Sequence, residues 1–232
     1  MLFKEKNIKI EDGFEKRREI FNKIIEDTIS ELEKNCQSIG EGKTAEVKIM
    51  NERNSICLKI VDNSKIRKNG VHLNNEVNEE IEFLDKLSDK NFLQTIGIEK
   101  KIVPKPMFSK QSGNYGFLFL EKIEGITIED FLKQKSNNKL PENFNWESYF
   151  AKLENIITKL NSAKLFHRDL HEGNIFINKE GDPIIIDFGD ACETFLSDED
   201  PYHQEKYDGN IISYIPDMQH VKRIKEKILN LI

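Results

Sequence analysis

A two-lobed α+β fold, β-rich first and mainly helical after, follows from three features of the sequence. Between Cys36 and Val61, apolar residues alternate around a glycine turn and a polar turn, the period of β-strands. From Asn74 to Leu87, and again from Pro141 to Ser162, they return every three or four positions, the period of helices buried along one face. Between these regimes Glu124-Gly125 breaks the pattern and divides the chain.

Each element has its own signal. Asp12 and Glu15 form a capping-box-like pair, and Phe14, Ile20, Phe21, Ile24, Ile25, Ile29 and Leu32 recur at helical spacing. They predict an amphipathic helix to about Asn35, an extension over 1–35. Three strands follow, with Val47 and Ile49, then Ile56, Leu58 and Ile60, alternating. The next helix stacks Val77, Ile81, Leu84 and Leu87 on one stripe and ends in a polar loop. Ile102 to Pro106 is extended and stiffened by proline, Ser112 to Gly116 is a turn, and Phe117 to Leu120 is a short buried strand. These elements make a first lobe over 36–122 and leave a reduced, mainly helical lobe over 123–232. Within the second, Ile128–Lys135 reads as a short helix and Pro141–Ser162 as a longer one, with Trp146, Phe150, Leu153, Ile157 and Leu160 inward. Pro216 suits the first turn of a last helix, whose apolar face is Met218, Val221, Ile224, Ile228 and Leu231.

A chain of 232 residues is long enough for two small lobes sharing a core. Its 35 basic against 41 acidic side chains, a net charge of −6, argue against a nucleic-acid surface. Cys36, Cys57 and Cys192 are too few and too scattered for a disulfide framework or a zinc knuckle, which favours a reducing compartment. No apolar run approaches the roughly 20 residues of a membrane span, and the first residues lack the apolar core of a secretory signal. The expectation is a soluble protein with no membrane partner, cytoplasmic or exported without a cleavable signal peptide.

The chemistry concentrates near Leu165–Ile177. A polar loop, His167 to Asn174, sits between apolar runs, and Ile184-Ile185-Ile186 then delivers Asp187 and Gly189. Asp169, Asn174 and Asp187 are oxygen donors suited to a metal-bound phosphate, which suggests ATP-dependent phosphoryl transfer. The turn Gly40-Glu41-Gly42-Lys43-Thr44 admits three readings: a phosphate cradle, a P-loop or a plain hairpin. The P-loop fits worst, since Gln37 stands where its first glycine belongs and a strand follows where a helix should. Lys59, inside the third strand, either faces solvent or enters the cleft with a carboxylate partner from the next helix. Glu80, at the edge of the packed stripe, is the best-placed partner and Glu76 the next, while Glu79 and Glu82 face water.

In this order, the glycine loop, Lys59, Glu80, the Phe117–Ile123 hinge, His167-Arg168-Asp169 with Asn174, and Asp187-Phe188-Gly189 resemble the protein-kinase-like superfamily from Ile39 to Gly189. The resemblance implies a bilobal kinase-like fold that uses ATP and Mg²⁺. It implies that Asp169 accepts or orients the proton of the attacking hydroxyl and that Asn174 and Asp187 hold Mg²⁺. It also implies that Lys59, fixed by Glu80, positions the phosphates beneath Gly40 and Gly42. Backbone groups of Glu121 and Ile123 would bind the adenine edge, with Ile39 and Val47 over its face. His167 and Arg168 would serve as loop scaffolding, Arg168 being the protein-kinase-like choice.

The sequence also departs from that pattern. His171 stands where Ser/Thr kinases place a lysine, and Ala45 replaces the third loop glycine. The runs Asp169–Asn174 and Asp187–Ala191 are closer to aminoglycoside and choline phosphotransferases. Only residues 190–232 follow Gly189, which resembles minimal kinases: the small kinase of the tRNA threonylcarbamoylation complex, the RIO type, and compact effector kinases that bacterial pathogens deliver into host cells. Ile215-Pro216-Asp217 stands for the Ala-Pro-Glu that closes an activation segment. The expected function is a minimal Ser/Thr protein kinase acting on a protein, a host protein included. A small-molecule phosphotransferase is the alternative, and a kinase-fold binding or ATPase module the second.

Overall fold

Strand alternation builds the first lobe. The computed structural model describes residues 36–41, 45–50, 56–62, 76–112, 115–133, 140–193, 205–207, 210–212 and 216–231. The helix expected before Asn35 and the turn residues 42–44, Gly42 among them, lie outside the described residues. Strands β1 (Cys36–Glu41), β2 (Ala45–Met50), β3 (Ile56–Asp62), β4 (Pro106–Ser112) and β5 (Tyr115–Glu121) form an antiparallel sheet in the order β1-β2-β3-β5-β4. Strand β3 lies at its centre and is buried on both faces. Leu58 and Ile60 join Phe117 in a small cluster on one side, while Val61 and Leu118 enter the main core on the other.

Helix α1 (Glu76–Ser88), between β3 and β4, packs Val77, Leu84 and Leu87 into that core. Complete burial of a leucine side chain is worth about 2 kcal/mol, so this stripe anchors the helix firmly. The polar loop expected after it holds a further short helix, α2 (Lys90–Thr95), because the Asp89 carboxylate accepts the Asn91 N–H at 2.8 Å and caps it. The extended segment at Pro106 likewise runs on as edge strand β4, where a proline lacking its N–H is tolerated.

The chain crosses to the second lobe at Gly125. A side chain there would run into the Ile177 carbonyl, so only glycine lets short strand β6 (Gly125–Thr127) lie on β7 (Ile175–Asn178). Strands β6, β7 and β8 (Pro183–Ile185) form a small sheet that carries the loops of interest at its ends. Thr127 caps α3 (Ile128–Leu132), which is shorter than expected. Helix α4 (Trp146–Ser162) begins five residues after Pro141, because Pro141–Phe144 closes a turn with Asn143 at positive φ and Asn145 then caps the helix through the Ser148 N–H. Trp146, Tyr149, Phe150, Phe144 and Phe131 interlock beneath it. A hairpin of β9 (Glu205–Tyr207) and β10 (Asn210–Ile212) precedes α5 (Asp217–Leu229). Val221, Ile224 and Ile228 of α5 are buried, whereas Leu231 lies beyond the helix and is exposed, so the apolar face ends a turn early.

Candidate active site

Two loops meet at Ile186. Its N–H donates to the Asn174 carbonyl at 3.0 Å, and its own carbonyl lies 2.9 Å from His167 Nε2. The His167 ring is buried edge-on against Phe188, and its Nδ1 accepts the Asp169 N–H at 3.3 Å. His167 is therefore a scaffold joining the Asp169 loop to the segment that presents Asp187. Asn174 completes the frame by donating its side-chain amide to the Asp169 carbonyl at 2.9 Å.

Lys59 reaches this frame from the other lobe. It faces Val47 across β2 and Leu118 across β5, and its Nζ lies 2.7 Å from both Glu80 Oε2 and Asp187 Oδ1. Glu80 makes this pair, and Glu79 and Glu82 are exposed. Burial alone would lower the Lys59 pKa, but the two carboxylates outweigh it and hold the ammonium above its ordinary range. Burial likewise works against ionised Asp187, yet Lys59 holds that carboxyl below the usual carboxylate range.

Asp169 behaves differently. Desolvation pushes its carboxyl up, His171 opposes that, and Asp190 adds to it. A carboxylate made more basic by burial and half-exposed on this loop suits a proton acceptor. His171 caps the short 3₁₀ turn Glu172–Asn174 by accepting the Gly173 N–H at 3.0 Å.

Two residues here are held off the common backbone regions. Arg168 has φ +71° and Asp187 φ +64°, conformations that cost a non-glycine residue about 1–3 kcal/mol each. At Arg168 the compensation comes from α5. The buried Asp217 carboxylate accepts the His167 N–H at 2.8 Å and the Arg168 N–H at 2.9 Å. Asp217 thus grips the Asp169 loop from below.

Of the remaining expected residues, Ile39 and Gly40 lie on β1, and Gly40 pairs with Val47 on β2. Glu121 ends β5, with its N–H donated to the Lys105 carbonyl and its carboxylate turned to Lys101, while Ile123 begins the crossing to β6. Asn174 and Asp187 offer two hard oxygen donors. That number suits Mg²⁺, which keeps several waters and takes its other ligands from phosphates, so the donor set fits the ion.

Comparison with known proteins completes this description. The family model described as protein kinase domain matches residues 34–209. A probable serine/threonine-protein kinase of Dictyostelium discoideum is 27% identical over 147 residues, 63% of this chain and 20% of that protein. A calcium/calmodulin-dependent protein kinase kinase of Caenorhabditis elegans is 27% identical over 180 residues, 68% of this chain and 31% of that one. The chain thus spans less than a third of the length of these relatives. A co-crystal structure of WbdD with the kinase inhibitor LY294002 aligns with a TM-score of 0.47 and 18% identity, covering 66% of this chain and 32% of that one. With the family match extending over most of its length and a two-lobed α+β fold beneath it, this chain belongs to the protein kinase family.

Proposed function

We propose that this chain is a Ser/Thr protein kinase that moves the γ-phosphate of ATP to a protein hydroxyl with Mg²⁺ as cofactor. The observation that carries the reading is Lys59, set 2.7 Å from Glu80 on one side and Asp187 on the other, across the cleft from Asp169. Transfer forms a bond from the hydroxyl oxygen to the γ-phosphorus and breaks the bond to the β,γ-bridging oxygen. ADP leaves with that electron pair, and Asp169 takes the hydroxyl proton. Lys59 orients the phosphates, while Asn174 and Asp187 hold the metal. Bound Mg²⁺ neutralises charge on the phosphate oxygens. Arg168 before Asp169, and relatives named as serine/threonine kinases, support the choice of acceptor.

The test is transfer of labelled γ-phosphate to protein in a cell lysate. Labelling is expected with the wild-type chain and absent with Asp169→Ala and Asp187→Ala. Turnover of an amino-sugar or choline without protein labelling would reject the protein acceptor and favour the small-molecule reading that His171 first suggested.

A further inference from the structure

We propose that a lysine-lined groove between α2, α4 and the loop over 97–105 docks an acidic segment of a partner protein. Apart from Glu121, at the end of β5, no described lining residue was placed in the phosphate site, so the inference does not depend on the kinase reading. Two cavities of about 300 and 520 Å³ adjoin there and share Ile98–Lys101 in their walls. Among the described residues, six lysines line them. Lys90 starts α2, Lys100, Lys101 and Lys105 lie on the segment before β4, and Lys152 and Lys159 are two turns apart on α4. The carboxylates that answer them are Glu99, Glu121 and Asp182, so the groove is basic on a chain whose net charge is −6.

The pairing of these charges leaves donors to spare. Asp182 is shared by Lys100 and Lys152, 2.6 Å from each, and Glu121 pairs with Lys101. Lys159 donates to the Gly97 carbonyl, a neutral partner. Lys90 and Lys105 are exposed, and among the described residues no carboxylate pairs with either ammonium. An ammonium carries three donors, so even the paired lysines can take a second carboxylate. The groove is also preformed. The Ile98 N–H donates to the Leu93 carbonyl at 2.7 Å and the Gly97 N–H to the Gln94 carbonyl at 3.0 Å, which fixes the turn out of α2. Groups already held in place lose little entropy on binding. Ile98, Ile102 and Ile156 add an aliphatic lining between the lysines. That combination suits a peptide in which acids flank an apolar side chain. Among the described residues no aromatic ring lines either cavity to stack a base, so the groove suits a nucleic acid poorly.

Fluorescence anisotropy of a labelled peptide, glutamates around a central leucine, tests the groove on the full chain. Binding is expected. Lys90→Glu combined with Lys105→Glu reverses two exposed charges of the groove and should weaken binding about tenfold with the melting temperature unchanged. The same reversal on α5, Lys222→Glu with Arg223→Glu, lowers the total charge equally but lies outside the groove, and should leave binding as it was. Salt at about 1 M, which screens charges beyond about 3 Å, should abolish the binding. The proposal is overturned if the wild type does not bind the peptide, if binding persists in high salt, or if the groove variant loses no more affinity than the α5 variant. It is also overturned if a labelled single-stranded RNA binds more tightly than the peptide and loses that affinity in the groove variant, which would assign the groove to nucleic acid.

Discussion

Lys59 is a charge in the middle of an apolar strand, and its neighbours make that tolerable. Glu80 is 1% exposed, so removing the ammonium leaves a buried carboxylate without its counter-ion. Lys59→Met should therefore lose about 3 kcal/mol of stability in urea titrations, as well as about 100-fold in phosphoryl transfer. Adding Glu80→Leu should restore the stability and not the activity, since an apolar pair fills the space but positions no phosphate. Asp182, bracketed by Lys100 and Lys152 at 2.6 Å each, supplies a pH-dependent case. Burial opposes its ionisation, but the two lysines lower its pKa below the ordinary value. A carboxyl depressed in the fold contributes stability above the unfolded value of about 3.9 and loses it as pH falls through the folded value. Asp182→Asn should flatten that acid limb, read as the urea midpoint against pH, and leave stability below it unchanged.

At the scale of elements, α5 does more than its apolar face suggests. Asp217→Ala would leave the buried His167 and Arg168 N–H groups unpaired, with a cost of about 2 kcal/mol. Amide exchange at those two positions should accelerate, and kcat should fall because the Asp169 loop loses its grip at the strained Arg168 backbone. Asn145→Ala, which removes only the cap of α4, should lower stability by about 1 kcal/mol and leave turnover intact. These elements also mark how far a linear reading extends. Helices α1, α4 and α5 bury long stripes, and a stripe is written in residue spacing. Strands β4 and β6 and helix α2 escaped it because a proline at a sheet edge, a three-residue strand and a single capped turn carry almost no periodicity.

For the whole molecule, the site exists because two lobes close on each other. Lys59 and Asp187 are separated by 128 positions and meet only when the five-stranded sheet is set over the Asp169 loop. The Lys86–Glu193 pair also joins α1 to the segment beyond Asp187, but it is solvent-exposed and worth less than about 1 kcal/mol, so Lys86→Ala should barely change stability. A bound nucleotide should stabilise the closed arrangement by mass action. ATP with Mg²⁺ should raise the melting temperature more than ATP with EDTA, and Asp187→Asn should abolish the difference. Equal shifts with and without the ion would show that Asn174 and Asp187 hold no metal.

The sequence by itself determined the first three strands, the long helices α1, α4 and α5, the α+β class and the positions able to carry phosphate chemistry. Those properties reside in spacing and residue type, which are local. The tertiary structure decided that Glu80 makes the ion pair, that Asp217 holds the Asp169 loop, and that His171 is pinned to Gly173 beside Asp169. Each depends on burial and on angles between groups remote in the chain or turned by an irregular loop. A linear pattern specifies neither, because a side chain's partner is set by what the rest of the core leaves beside it.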